Sequence, residues 1–251
     1  MGFTWVLLVI YQKNGADSAA CRALRDMHYS SVLVVDNSRE DFGNEAYCAE
    51  AGFAYLSMHG NAGLPKAYNR GIEWLKGRAE TVVLLDDDTT LSADFFEALR
   101  RAQTEHPEGR IFLPSVYDAV GLLSPCRVTS SGFARAERPE DIPPACRSAI
   151  NSGMAVDLRV FDGYRYDERY FLDFVDHAFL RDMRKRDVPI VLTGARLQQQ
   201  FSGSSAYEAA AARARFALFR RDGAVYYGHG LRYVQAVLRR YLSLKRQALR
   251  H

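Results

Sequence analysis

The chain has 251 residues, 48% of them hydrophobic and 25% charged, with a formal net charge of +3. That length buries a full core in one domain with room for an appendage, and the composition is that of an ordinary soluble globular protein. The charge is too small to argue for nucleic acid. Cys21, Cys48, Cys126 and Cys146 show no C-x-x-C spacing, which argues against a zinc site, requires no disulfide scaffold and suits a reducing cytoplasm.

The first hundred residues alternate strand and helix. Phe3 to Tyr11 is apolar but only about half the length that spans a bilayer, so Trp5 to Ile10 reads as a first core strand and not as a signal peptide. Asp17 is placed to cap a helix whose Ala20, Leu24 and Met27 share one face. Ser31 to Val35 is the next buried strand, ending at Asp36-Asn37, and Phe53 to Leu56 is a short third. Pro65 sits where a first helical turn tolerates it. Leu64, Tyr68, Ile72 and Leu75 then fall on one face and Gly77 ends the helix. Thr81 to Leu85 is the fourth strand, and Ser92 is placed to cap a helix carrying Phe95, Phe96 and Leu99. Continuous apolar strands alternating with amphipathic helices predict an α/β fold with a mainly parallel central sheet covered on both faces.

Between Pro114 and Pro144 five prolines and two glycines predict a long loop or a small antiparallel excursion. A strand near Met154–Val160, a helix from about Asp173 to Arg186 and a strand at Pro189–Leu192 follow. From Tyr207 the composition is helical, and the charge is concentrated there. Residues 206–251 carry ten Lys/Arg against Glu208 and Asp222, a net +8 that leaves −5 for the rest. The expected organisation is one domain over residues 1–205, with halves of about 1–110 and 111–205, followed by a basic helical tail over 206–251.

The most telling run is Thr81-Val82-Val83-Leu84-Leu85-Asp86-Asp87-Asp88-Thr89. A buried strand delivers three adjacent carboxylates, which stay ionised together only with positive charge among them. A divalent cation carrying a phosphate group is the usual reason for such a site. If the strand persists, Asp86 and Asp88 point to one side and Asp87 to the other. Asp36, like Asp86, ends a predicted parallel strand, where ligands bind in open α/β sheets; the plain alternative is that each Asp starts a loop. Asn61-Ala62-Gly63-Leu64-Pro65-Lys66 opens a helix whose amino end suits an anion. Gly63 permits close backbone approach, and Lys66 or Arg70 supplies a cation. An ordinary capped helix is the alternative. Asp173 and Asp176, three apart at a helix start, are expected on one face. An ionised carboxylate beside a pocket suits a general base, against N-capping as the alternative. Tyr164, Tyr166, Tyr170, Phe171 and Phe174 form either a sugar platform or core. Leu231, Val234, Leu238 and Tyr241 recur at helical spacing among Arg232, Arg239, Arg240, Lys245 and Arg246, which suits an anionic membrane surface or, equally, a packed or self-associating helix.

Taken in order, Trp5–Ile10, Val34-Val35-Asp36-Asn37-Ser38, Asn61-x-Gly63 with Asn69-Arg70-Gly71, and Leu85-Asp86-Asp87-Asp88-Thr89 resemble the nucleotide-sugar half of family 2 glycosyltransferases. Asn151-Ser152-Gly153 and Phe171-Leu172-Asp173-Phe174-Val175-Asp176-His177 resemble the acceptor half of its rhamnosyl- and galactofuranosyltransferase-like members. Together these segments cover about residues 4 to 203. The resemblance implies a GT-A, Rossmann-like nucleotide-sugar-binding fold and an inverting transfer of one sugar. The donor would be a nucleotide diphosphate, most simply UDP- or dTDP-linked. The acceptor would be a glycan or lipid-linked glycan hydroxyl, in bacterial cell-surface polysaccharide (O-antigen or capsule) synthesis at the inner face of the cytoplasmic membrane. It assigns Asp176 as catalytic base, with Asp173 flanking it. Asn151, Ser152 and Gly153 would line the acceptor or donor sugar. Asp36, Asn61, Gly63, Lys66, Asn69, Asp86 and Asp87 would bind the nucleotide-sugar. Asp86 and Asp88 would hold Mn2+ or Mg2+, with Asp88 the more direct ligand. Many relatives place a histidine ligand after the last strand; here the segment reads Leu197-Gln198-Gln199-Gln200-Phe201-Ser202-Gly203, leaving Gln200 or His177 as substitutes. The Q-x-x-R-W motif of processive synthases is absent, which favours single-sugar transfer. Two rival readings are a sugar-phosphate nucleotidyltransferase and a non-catalytic glycan-binding protein on the same fold. The single Lys and Gly of Tyr11-Gln12-Lys13-Asn14-Gly15 disfavour the first, and intact Asp86, Asp88 and Asp176 disfavour the second.

Overall fold

The computed structural model describes residues 3–130, 132–199 and 209–248. The chain begins β1 (Thr4–Ile10), α1 (Ala19–Asp26), β2 (Val32–Asp36), α2 (Asn44–Ala51), β3 (Ala54–Ser57), α3 (Leu64–Leu75), β4 (Thr81–Asp86), β5 (Thr89–Thr90) and α4 (Phe95–Glu105). β3, β2, β1 and β4 lie side by side in that order, all parallel. Ile10 stands opposite Asp36 and Val9 opposite Asp86. Both acids therefore leave the sheet at the same edge, on either side of the end of β1. The strands are apolar on both faces because both are covered. Val6, Leu8 and Ile10 join α1, α2 and α4 in one core layer, while Leu7, Leu33 and Leu84 pack with α3 on the other.

The chain continues β6 (Ile111–Asp118), β7 (Gly121–Ser124), β8 (Cys126–Thr129), β9 (Gly132–Ala134), β10 (Arg147–Ser148), β11 (Met154–Asp157), α5 (Val175–Lys185), β12 (Ile190–Gln199), α6 (Ala209–Tyr227) and α7 (Leu231–Ala248). β11 runs antiparallel between β4 and β6, β12 lies parallel to β6, and β5 closes the edge. The central sheet is thus parallel in its first half and mixed in its second. β8, β9 and β10 form a small antiparallel sheet, the predicted excursion.

Several expectations are corrected. Ser18, not Asp17, caps α1, accepting from the Cys21 N–H at 3.1 Å, while Asp17 closes a preceding 3-10 turn. Ser92 makes no side-chain cap and α4 starts at Phe95. Strand β6 passes through Pro114, where a loop was expected. The β6–β12 ladder slips between Leu192 and Arg196, beside that residue, so the proline's missing N–H falls at an irregularity. β11 stops at Asp157 and turns into a 3-10 segment, Leu158–Asp162. β12 runs on to Gln199, well past the predicted Leu192.

In the tail, Phe219, Val225, Tyr226 and Tyr227 of α6 pack on the core layer of α3 and α5. α7 leaves Leu231, Val234, Leu238, Tyr241 and Leu242 exposed.

Candidate active site

β4 ends at Asp86, and residues 87 and 88 form a turn, so the predicted strand continuation does not occur. Asp86 and Asp88 converge all the same, because Gln199, the last residue of β12, donates its Nε2 to Asp88 Oδ1 at 2.9 Å and more weakly to Asp86 Oδ2 at 3.4 Å. Ser152 Oγ donates to the same Asp86 oxygen. Asp87 turns the other way. Its carboxylate pairs with Lys13 Nζ at 3.2 Å, and its carbonyl accepts from Ser18 Oγ at 2.8 Å, tying the acidic turn to the start of α1. Burial pushes the Asp86 carboxyl up to about 7, opposed by the Ser152 hydrogen bond and reinforced by Asp88 and Asp176. Asp87 is also raised, chiefly by burial, with Lys13 pulling against it.

The Asn151-Ser152-Gly153 segment lies directly against the end of β4. Gly153 N–H donates to the Leu84 carbonyl at 2.8 Å. At φ +77° a Cβ on Gly153 would lie 2.4 Å from Leu197, so only glycine lets Ser152 reach Asp86. Asn151 Oδ1 is buried without a hydrogen bond, as is the Tyr68 hydroxyl of α3. Burial raises the Tyr68 phenol well above its usual value, and both Asp86 and Asp176 add to the effect. Tyr68 is therefore near enough to both acids to feel their charge. The spacing pattern identified it only as a core position, because nothing in helical periodicity reports where a phenol oxygen ends.

Asp176 lies in the first turn of α5. Burial pushes it up to about 7, against the His177 N–H that it accepts at 2.7 Å. Asp173 and Asp176 do not share a helix face as expected. Phe174 adopts φ 65° and α5 begins only at Val175, so Asp173 lies before the helix and turns outward to a bidentate pair with Arg215 of α6, Nη2 to Oδ1 at 2.6 Å. His177 is stacked on Phe133 with ring centroids 3.6 Å apart, its Nδ1 2.8 Å from Ser148 Oγ. Burial holds its pKa down at about 3, so it is a neutral packed ring engaged away from Asp86 and Asp88. Gln200 and the rest of residues 200–208 lie outside the described residues.

The expected donor-binding group divides. Asp36 is buried, accepting from Ser38 N–H at 2.9 Å and Asn44 Nδ2 at 2.8 Å. Asn37 joins it to the next loop: Asn37 Nδ2 donates to Asn61 Oδ1 at 3.2 Å, and Asn37 Oδ1 accepts from Ala62 N–H at 2.9 Å. Gly63, at φ +91°, makes its close approach to Phe171: a Cβ there would lie 3.0 Å from that ring. Asn69 spends its amide on the 166–168 segment, exchanging hydrogen bonds with the Tyr166 backbone at 2.9 Å and donating to Glu168 at 3.0 Å. Lys66 and Arg70 line a shallow pocket with Asn69, Arg165 and Glu168 on the flank of α3. A cavity of about 950 Å3 opens at the opposite, amino-terminal end of the strands, where Thr4, Thr81 and Asp157 line it.

Among the described residues, no three His, Cys, Asp or Glu side chains gather as a metal cluster. Asp86 and Asp88 with Gln199 nevertheless fit a hard divalent cation. Two carboxylates face one buried amide whose Oε1 has no partner. A half-turn of that amide presents oxygen in place of nitrogen, completing an all-oxygen set of the kind magnesium and manganese take with water and phosphate.

Residues 19–122 match the family model described as Glycosyl transferase family 2. Among curated proteins, none matches the chain in sequence. The structure of GalNAc-T7 with UDP, GalNAc and Mn2+ is similar at 10% identity and a TM-score of 0.61, over 93% of this chain and 53% of that one. Residues 1–349 of S. aureus TarS align at 14% identity and a TM-score of 0.54, over 96% of this chain and 73% of that one. Their complex with UDP-GlcNAc gives 14% and 0.53, over 95% and 73%. The chain thus spans about half the length of the GalNAc-T7 chain. These likenesses establish the GT-A fold.

Proposed function

We propose, from the premise that residues 19–122 form a glycosyl transferase family 2 domain on a GT-A fold, that the chain is a metal-dependent inverting glycosyltransferase. It moves a single sugar from a nucleotide-diphosphate sugar to a hydroxyl of a glycan or lipid-linked glycan. The observation that carries this reading is a pair of partly buried acids close enough to interact: Asp86, beside Asp88 and Gln199, and Asp176, whose charge acts on Asp86.

The loops after β2 and α3's amino end, with Asp36, Asn37 and Asn61, form the nucleoside end. Asp86 and Asp88 would hold Mn2+ or Mg2+, which would supply positive charge against the departing diphosphate. Asp176 accepts the proton of the acceptor hydroxyl as its oxygen bonds the anomeric carbon and the bond to diphosphate breaks on the opposite face. A carboxyl at about 7 is matched to that task near neutral pH, being about half ionised and still basic. Asn151 and Tyr68, whose side chains neighbour one another, offer buried polar atoms to the sugar.

UDP-sugars are the first donors to test, since UDP and UDP-GlcNAc are the ligands named for the similar structures. The setting we propose is bacterial surface polysaccharide assembly, and the family resemblance supports it. Among the described residues no helix is long and apolar enough to cross a membrane. The exposed apolar stripe of α7 among arginines suits peripheral contact with an anionic bilayer.

The test is thermal stabilisation by a panel of UDP-, dTDP- and GDP-sugars with manganese, comparing wild type with Asp88→Ala. A ligand that binds only the native state must raise its stability. Stabilisation of wild type alone supports the reading and narrows the donor; a panel that stabilises neither protein overturns it.

A further inference from the structure

The loop that delivers Asp176 is held by a helix from the far end of the chain. Asp222 of α6 is fully buried. Its Oδ1 accepts from Phe171 N–H at 3.0 Å, and its Oδ2 from Leu172 N–H at 2.7 Å and Asp173 N–H at 2.8 Å. Three consecutive backbone donors thus converge on one carboxylate, while Arg215, two helical turns earlier, grips the Asp173 side chain. The opposite side of the loop meets the donor half. The Phe171 carbonyl accepts from Leu64 N–H at 2.7 Å, at the amino end of α3, with Gly63 against the Phe171 ring. Immediately after the loop, Phe174 at φ 65° sets the direction of α5 and hence of Asp176. Asp222 is the single acidic residue between 209 and 248, and it points inward on an otherwise basic tail.

We propose that Asp222 is a positioning residue for sugar transfer. Its carboxylate, with Arg215 beside it, fixes the 171–173 loop so that Asp176 faces the donor held by the first half. This rests on the transferase reading above. Without the carboxylate, three partly buried N–H groups lose their shared acceptor and the loop turns to recover hydrogen bonds. That turn moves Asp176 relative to the anomeric carbon, where small displacements are costly to rate. Asp222 itself bonds to the 171–173 backbone and not to β2, β4 or the 61–63 loop, and the loop's link to the donor half runs through the Phe171 carbonyl on its other side, so donor binding loses far less than transfer.

The test compares the full-length wild type with Asp222→Asn, using manganese and the donor that stabilises the wild type. The proposal expects kcat to fall about 100-fold with donor KM and donor-induced stabilisation within about twofold. Amide exchange at Leu172 and Asp173 should accelerate without a matching rise across the sheet. Unchanged kcat, or kcat and donor KM lost together in step with folded protein, overturns it. Should Asp222→Asn fail to fold, Arg215→Met replaces it: a fall of about tenfold in kcat at constant donor KM supports the role, and wild-type kcat overturns it. If the wild type transfers no sugar from any donor, the transferase reading has failed and the positioning role with it. If the wild type transfers and both variants match it, the positioning role alone is overturned.

Discussion

Asp86 is carried on a strand and Asp176 on a helix, and the two are held by different means. Asp86 is placed by the ladder of β1 and β4, with Val9 opposite it, and its neighbours Asp87 and Asp88 come with it in one continuous stretch. Asp176 depends on a loop whose backbone is satisfied by Asp222, about fifty residues later in the chain. A carboxyl environment of about 7 arises on both sides, for the same first reason, burial. The lesson is that one chemical setting can be built by local register on one wall and by long-range packing on the other.

The largest expected effect breaks the acceptor wall alone. Asp176→Asn should lower kcat by about 1000-fold while manganese-dependent stabilisation by donor persists; loss of donor binding in that variant would mean the walls are not separable. Next is pH. On the proposed reading Asp176 works ionised as the base, so kcat/KM should rise about tenfold per pH unit below about 7 and level off above it. Stability should run the other way. The Asp176 carboxyl is raised from 3.8 to about 7, so its contribution is present below 3.8 and lost as pH rises through 7. Melting of the metal-free protein should record this, with Asp176→Asn flattening the decline.

A smaller effect sharpens the donor wall. Gln199→Glu adds a third carboxylate beside Asp86 and Asp88, and should tighten manganese binding about tenfold in a titration followed by melting temperature. Weaker or unchanged affinity would remove Gln199 from the cation site. The smallest effect lies furthest from the cleft. Leu238→Glu on α7 should abolish sedimentation with anionic vesicles and leave transfer to a soluble acceptor within about twofold. If vesicle binding survives, or was never present, the exposed stripe is a self-association face, which light scattering would show.

The parallel half was legible because its signals are short-range. Val6 to Ile10, Val32 to Val35 and Val82 to Leu85 are apolar without interruption, and their closing acids mark the sheet's carboxyl edge. The second half was less legible. Strand β6 contains Pro114, and it persists only because the ladder slips beside that residue. The predicted shared face of Asp173 and Asp176 failed because one left-handed residue, Phe174, resets the helix start. The glutamines at 198–200 were visible as a departure from the family's histidine, with Gln200 or His177 expected in its place; the amide that meets Asp86 and Asp88 is that of Gln199.

What the sequence determined by itself was the α/β alternation, the position of Asp86 to Asp88 at a strand end and the order of the segments. These follow from periodicity and from residues adjacent in the chain. What only the tertiary structure decided was which polar groups meet: Ser152 with Asp86, Tyr68 within reach of the charge of both acids, His177 withdrawn into an aromatic stack, and Asp222 beneath the 171–173 loop. Burial and hydrogen-bond satisfaction are properties of contacts between distant segments, and no local pattern carries them.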